Sequence, residues 1–136
     1  MDGVILTPLK KIPNIRGNVL HAMKASDEGF HGFGEAYFSC LNHGEIKGWK
    51  KHFIMTLNLV VIMGEVKFVI FNNKNYYEAI LSKKNYQRLT VSPGLWVAFK
   101  GLSKENILLN LANIEHDPNE TEQMNLNVFN YDWNKD

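Results

Sequence analysis

Short runs rich in Val, Ile, Leu, Phe and Tyr alternate along the chain with breaks marked by Gly or Pro. Val66-Lys67-Phe68-Val69-Ile70 and Leu57-Asn58-Leu59-Val60-Val61 are β-branched and too short for long helices. The pattern predicts strands over Val19–Lys24, Ala36–Leu41, Gly48–His52, Met55–Met63, Glu65–Phe71, Tyr76–Leu81, Tyr86–Val91, Trp96–Gly101 and Ile107–Ile114. Met63-Gly64 between two such runs reads as a hairpin turn with Gly at positive φ. Asn72-Asn73-Lys74-Asn75 and Ser92-Pro93-Gly94 read as further turns. The one stretch with helical character is short, around Ser82–Tyr86. Eight or more short strands with turns every ~8–12 residues imply an all-β sandwich or barrel. A barrel of this size holds one small ligand in its mouth.

Composition bounds this picture. The 136 residues and 15.6 kDa make one domain, spanning residues 1–136. Fifteen basic against fourteen acidic residues leave a net charge of +1, which gives no electrostatic case for nucleic acid or an anionic membrane. Cys40 is the only cysteine, so a disulfide framework within the chain is excluded and a reducing compartment fits. The apolar stretch Leu57–Met63 is far short of the ~20 residues of a membrane span. Met1-Asp2-Gly3-Val4-Ile5-Leu6 is acidic where a signal peptide is basic, so a soluble, cytoplasmic protein is expected. Asn119-Glu120-Thr121 is then a chance match to a glycosylation sequon.

Period-two reasoning sorts the polar residues onto faces. Lys50, His52, Thr56 and Asn58 share one parity; Leu57, Leu59 and Val61 share the other. The polar set lines a wet cavity or forms a solvated outer face. Glu35, Tyr37 and Ser39 share a parity upstream. If their strand neighbours Gly48–His52, a carboxylate, a phenol, an ammonium and an imidazole converge for acid–base work. The alternative for Tyr37 is a half-buried aromatic with its hydroxyl at the surface. Five histidines, His21, His31, His43, His52 and His116, form no HxH or HxxxH pair, so spacing supports no metal site. His31 and His43 fall in Gly-containing turns, and His116 either reaches a cavity rim or caps the Asp117-Pro118 turn.

Several segments, in order, carry a family resemblance. Arg16-Gly17 and Glu45-Ile46-Lys47-Gly48-Trp49-Lys50-Lys51-His52 resemble the RG and (V/I)-(R/K)-G-x-H segments of the dTDP-4-dehydrorhamnose 3,5-epimerase family. Met63-Gly64-Glu65-Val66 is similar to its central x-G-E-V hairpin. Ser92-Pro93-Gly94-Leu95-Trp96-Val97-Ala98-Phe99 is similar to its P-P-G segment, and Tyr131-Asp132-Trp133 to its C-terminal ending. The related sugar 3,4-ketoisomerases share an R-G-x-H-x-H region. The resemblance implies an RmlC-like cupin jelly roll, a homodimer, no metal or other cofactor, and a nucleotide-linked 4-keto-6-deoxy sugar as substrate, in bacterial O-antigen or capsule sugar biosynthesis. It implies catalytic roles for His52 as base, for Lys50 and Lys47 as electrostatic partners, and for Tyr37 or His116 as proton donor. It implies nucleotide contact by Arg16 and places His21 where the family often has a Glu. Glu35 and Asn58, from the parity reading, Trp96 beside Pro93-Gly94, stacking on the base or sugar, and Lys100 complete the candidate substrate-binding set.

Three positions depart from the epimerase pattern. Lys50 stands in place of the first His of H-x-H, Val97 in place of the His before Gly-Phe, and Ile114-Glu115-His116 lacks the acid Tyr. Three readings follow: an epimerase or ketoisomerase working through an enolate, a non-catalytic cupin that binds a nucleotide sugar or glycan, and an unrelated small barrel with an interaction role.

Overall fold

The computed structural model describes residues 1–135. Its strands are β1 (Val4–Pro8), β2 (Lys11–Ile12), β3 (Val19–Leu20), β4 (Glu35–Asn42), β5 (Ile46–His52), β6 (Leu57–Met63), β7 (Glu65–Phe71), β8 (Tyr76–Ser82), β9 (Gln87–Val91), β10 (Trp96–Gly101), β11 (Glu105–Ala112) and β12 (Thr121–Gln123). They pair antiparallel into two five-stranded sheets, β1-β9-β6-β11-β4 and β12-β5-β10-β7-β8, with β2-β3 as a separate ribbon. The sheets face each other as the expected jelly roll.

Eight of the nine expected strands are present; Glu65–Phe71 and Trp96–Gly101 keep their expected bounds and the other six are shifted at one or both ends. Three differences have local causes. Val19–Lys24 is a strand only over Val19–Leu20, since β3 finds its partner in the two residues of β2. Ser82–Tyr86 is a turn instead of a helix: Ser82 Oγ accepts from Asn85 N at 3.1 Å, and Asn85 Nδ2 donates to Ile80 O. Strands β1, β2 and β12 lie outside the nine runs that the pattern marks, because each is short and draws its definition from its partner, β9, β3 or β5. The turns over 63–64, 72–75 and 92–94 form as read, with Gly64 at φ 75° and Asn73 at φ 74°.

The core sits between the sheets. Leu57, Leu59 and Val61 of β6 face Val66, Phe68 and Ile70 of β7, with Leu81, Leu89, Val91 and Leu108 around them. Each such side chain, fully buried, contributes about 1.5–3 kcal/mol. A second apolar layer covers the outer face of the other sheet: Trp49, Val69, Trp96 and Ala98 pack under Phe129, Tyr131 and Trp133 of the C-terminal segment. Strand β7 is therefore buried on both faces, which accounts for its apolar run Phe68-Val69-Ile70-Phe71. Glu78 pins this segment from the rim by accepting from Tyr131 Oη and pairing with Lys135 at 2.7 Å. The Lys135 hydrogen bond and then the Tyr131 one hold the Glu78 carboxyl below its ordinary range.

One irregularity positions the site. Between β5 and β10 the register runs Trp96 to Lys51, Val97 to Lys50 and Phe99 to Lys47. Gly48 and Trp49 together oppose Ala98, so β5 carries a bulge. The bulge resets the alternation: Lys47, Lys50 and His52 point between the sheets while Trp49 points to the second layer. Only Gly fits at position 48. Its φ is 144°, and a Cβ there would lie 2.4 Å from Ala98 Cβ and 2.7 Å from Ala98 Cα. Gly48→Ala is expected to cost about 2–3 kcal/mol through strain and overpacking. A urea melt checks this, and an unchanged midpoint would contradict the close approach.

Candidate active site

A cavity of about 870 Å³ opens between the sheets, within the size range of small-molecule sites. Strand β5 supplies Lys47, Lys50 and His52; β4 supplies Tyr37 and Ser39; β11 supplies Leu108 and Asn110. Leu57, Leu59, Val97 and Phe99 form its apolar wall, and residues 123–126 and Val128 of the C-terminal segment close one side. That segment is held in place by Trp49, whose Nε1 donates to Leu126 O at 3.3 Å and whose main chain exchanges hydrogen bonds with Met124.

His52 is 6% exposed and sits against one carboxylate. Its Nδ1 lies 2.8 Å from Glu120 Oε1. The 3-10 turn Pro118–Glu120 delivers that carboxylate: Asp117 caps it by accepting from Asn119 N, and Pro118 stands at its start. Glu120 Oε2 accepts from Phe53 N at 3.1 Å, so both oxygens are held. A carboxylate only accepts, so in neutral His52 the proton rests on Nδ1 and the Nε2 lone pair is left for the cavity. This carboxylate was not foreseen. It is 68 positions from His52 in sequence, in a segment legible only as a polar turn.

The charge balance of the walls is one-sided. Lys47, Lys50, His52 and His116 line the cavity, and no carboxylate does so among the described residues. Lys47 Nζ donates to Cys40 O at 3.0 Å, leaving its remaining donors available. The cavity is thus suited to an anion or to a group that becomes negative during a reaction. No group of three or more His, Cys, Asp or Glu among the described residues is placed to hold a metal ion.

The structure gathers His52, Lys50, Tyr37, Lys47 and His116 around one cavity. It places the other six predicted residues elsewhere. Asn58 turns to the outer face, donating to Gly29 O and accepting from Thr90 Oγ1, because the loop 53–56 breaks the alternation between β5 and β6. Trp96 is buried in the second layer with Lys51 Nζ 4.8 Å from its ring, so it offers no stacking face to the cavity. Lys100 donates to Trp133 O at 3.1 Å on that same outer face. Glu35 lies outside the lining and accepts from His116 N at 2.9 Å, which fixes the backbone that carries His116. Arg16 lies in an exposed turn built on Asn14, and His21 follows β3 with its N–H on Lys10 O; neither lines the cavity. Strand β4 also does not neighbour β5: Tyr37 and His52 approach from opposite sheets. Asn110, Gln123 and Asn125 are lining residues that the sequence reading missed.

Glu120→Gln gives a sharp expectation. Phe53 N–H is shared between Glu120 O at 2.8 Å and Glu120 Oε2 at 3.1 Å. An NH₂ group turned toward it would set donor against donor, so the substituted amide keeps its oxygen there and turns its NH₂ to His52 Nδ1. The tautomer then inverts and Nε2 carries the proton. Long-range ¹⁵N–¹H NMR of the imidazole reads this directly, and an unchanged protonation pattern would sink the assignment.

Comparison with known proteins gives a consistent outcome. The family model described as FdtA: WxcM-like, C-terminal matches residues 2–129. No curated protein matches the chain. A dTDP sugar isomerase from Desulfovibrio desulfuricans superposes with a TM-score of 0.88 at 28% identity, over 93% of this chain and 87% of that one. QdtA, a sugar 3,4-ketoisomerase from Thermoanaerobacterium thermosaccharolyticum in complex with TDP, gives 0.81 at 19% identity, over 90% and 88%. ChmJ, a 3'-monoepimerase from Streptomyces bikiniensis in complex with dTDP-quinovose, gives 0.83 at 14% identity, over 91% and 70%. The last two establish the shared fold. With its jelly roll and its model match over nearly the whole length, the chain belongs to the FdtA: WxcM-like, C-terminal family.

Proposed function

We propose that this protein isomerises a nucleotide-linked 4-keto-6-deoxy sugar through an enolate, as an epimerase or ketoisomerase. The observation that carries the reading is His52 held by Glu120 at 2.8 Å in a cationic cavity without a lining carboxylate. The C4 ketone acidifies the C–H bonds on either side of it. His52 Nε2 takes a proton from C3 or C5, and the electron pair moves onto the carbonyl oxygen. The growing charge is met by the Lys50 ammonium, which stands in place of the first His of the H-x-H pattern that the segment resembles. Tyr37 donates a hydrogen bond to the same oxygen, and Lys47 serves a phosphate or the enolate.

Return of the proton to the other face of the carbon inverts it. Return of a C3 proton to C4, with the O3 proton passing to O4, moves the ketone to C3. Both outcomes are redox-neutral, so acid–base groups suffice and the reading includes no metal or redox cofactor. The 28% identical protein is described as a dTDP sugar isomerase, a class that takes in both outcomes. The same reading takes the chain as one domain acting as a homodimer in the cytoplasm, in surface-glycan sugar biosynthesis.

The test is NMR of thymidine diphosphate-linked 4-keto-6-deoxy sugars incubated with the protein in D₂O. Deuterium should enter C3 or C5, or appear at C4 of a 3-keto product, and His52→Ala should slow this by ~10²–10⁴-fold. If no deuterium enters with any sugar while sugar nucleotides still shift the protein's resonances, the protein binds without catalysis and the proposal is wrong.

A further inference from the structure

Asn110 is 2% exposed and faces Tyr37 directly across the β11–β4 register. Its Nδ2 lies 3.0 Å from Tyr37 Oη, and its Oδ1 lies 3.0 Å from Asn58 N. The second contact decides the first. A backbone N–H can only donate, so the amide atom facing it is the oxygen, and the atom facing Tyr37 is the NH₂ group. The Tyr37 oxygen is therefore an acceptor toward Asn110. Its own proton has no protein acceptor among the described residues, and the side chain lines the cavity. Asn58 is itself fixed, by Thr90 Oγ1 at 2.6 Å and Gly29 O at 3.0 Å. The chain of bonds thus runs from the outer loop, through both buried amides, to the phenol.

We infer that Asn110 is a positioning residue that commits the Tyr37 hydroxyl to donate into the cavity. It deepens the function proposed above and rests on it for the identity of the acceptor, the ketone or enolate oxygen of the sugar. Asn110 touches no reacting atom; it sets the direction of a hydrogen bond made by the residue that does.

The near-isosteric variant Asn110→Asp inverts that direction. One carboxylate oxygen keeps the bond to Asn58 N, and the other accepts the Tyr37 proton, which no longer reaches the cavity. Asn110→Leu removes both bonds but leaves the hydroxyl free to turn. A merely structural role predicts that Leu does more damage. The donor role predicts the reverse in turnover: kcat falls ~10²–10³-fold in Asn110→Asp and ~10-fold in Asn110→Leu, with KM within ~3-fold in both. Tyr37→Phe should match Asn110→Asp, and the double variant should be no worse.

A protein-only readout runs beside the kinetics. With ¹³Cζ-labelled tyrosine, the Tyr37 signal, assigned by its loss in Tyr37→Phe, moves downfield in Asn110→Asp while the remaining tyrosine signals stay put. Turnover ranked Leu below Asp, or an unmoved Tyr37 signal, overturns the inference. If wild type converts no sugar, the functional reading fails by itself and the carbon shift still decides the hydrogen-bond direction. If Asn110→Asp does not fold, an unchanged kcat in Asn110→Leu overturns the inference and the ~10-fold fall supports it.

Discussion

Strand β5 serves two faces at once, and the bulge at Gly48–Trp49 is what allows it. A regular strand would put Lys47 and Lys50 on opposite sides, since side chains alternate. With two residues opposing Ala98, both lysines and His52 reach the cavity while Trp49 goes the other way. Trp49 then anchors the C-terminal segment through Leu126 O and Met124, and that segment closes the cavity those lysines line. Cavity wall and cavity chemistry thus depend on one local irregularity, at a position where Cβ has no room.

The site separates its charges by layer. Cationic and neutral donors face the cavity, and the carboxylates stand behind them: Glu120 on His52, and Glu35 on the backbone of His116. Two lysines on one apolar-walled cavity repel each other until something negative arrives. Such a site favours an anionic ligand and, more so, a charge that develops in the reaction. The amides do the same work for direction that the carboxylate does for His52. Glu120 leaves Nε2 as the acceptor, and Asn110 leaves Tyr37 as the donor.

Much of the fold was legible because its signals are local. Alternation, β-branched runs and Gly or Pro turns needed no tertiary knowledge, and β6 to β11 appear near their expected places. The resemblance marked β5 as the chemical strand. Asn58 was misplaced because parity was carried through loop 53–56, where the chain leaves one sheet for the other. Trp96 and Lys100 were misplaced because the outer face of β10 is covered by a segment from the far end of the chain. Glu120 and Asn110 were invisible for a related reason. Each acts through a contact 68 or 73 residues away, and neither carries a sequence pattern that announces its partner.

The most direct test of the account is a crystal structure of the wild-type protein with a thymidine diphosphate-linked 6-deoxyhexose that lacks the ketone and so cannot react. The account predicts the sugar between the sheets, with C3 or C5 within ~3.5 Å of His52 Nε2, as a reactive pose requires. It also predicts O4 turned to Lys50 and the Tyr37 hydroxyl. A sugar ring left outside the cavity, or His52 Nε2 bonded to a phosphate, would contradict it.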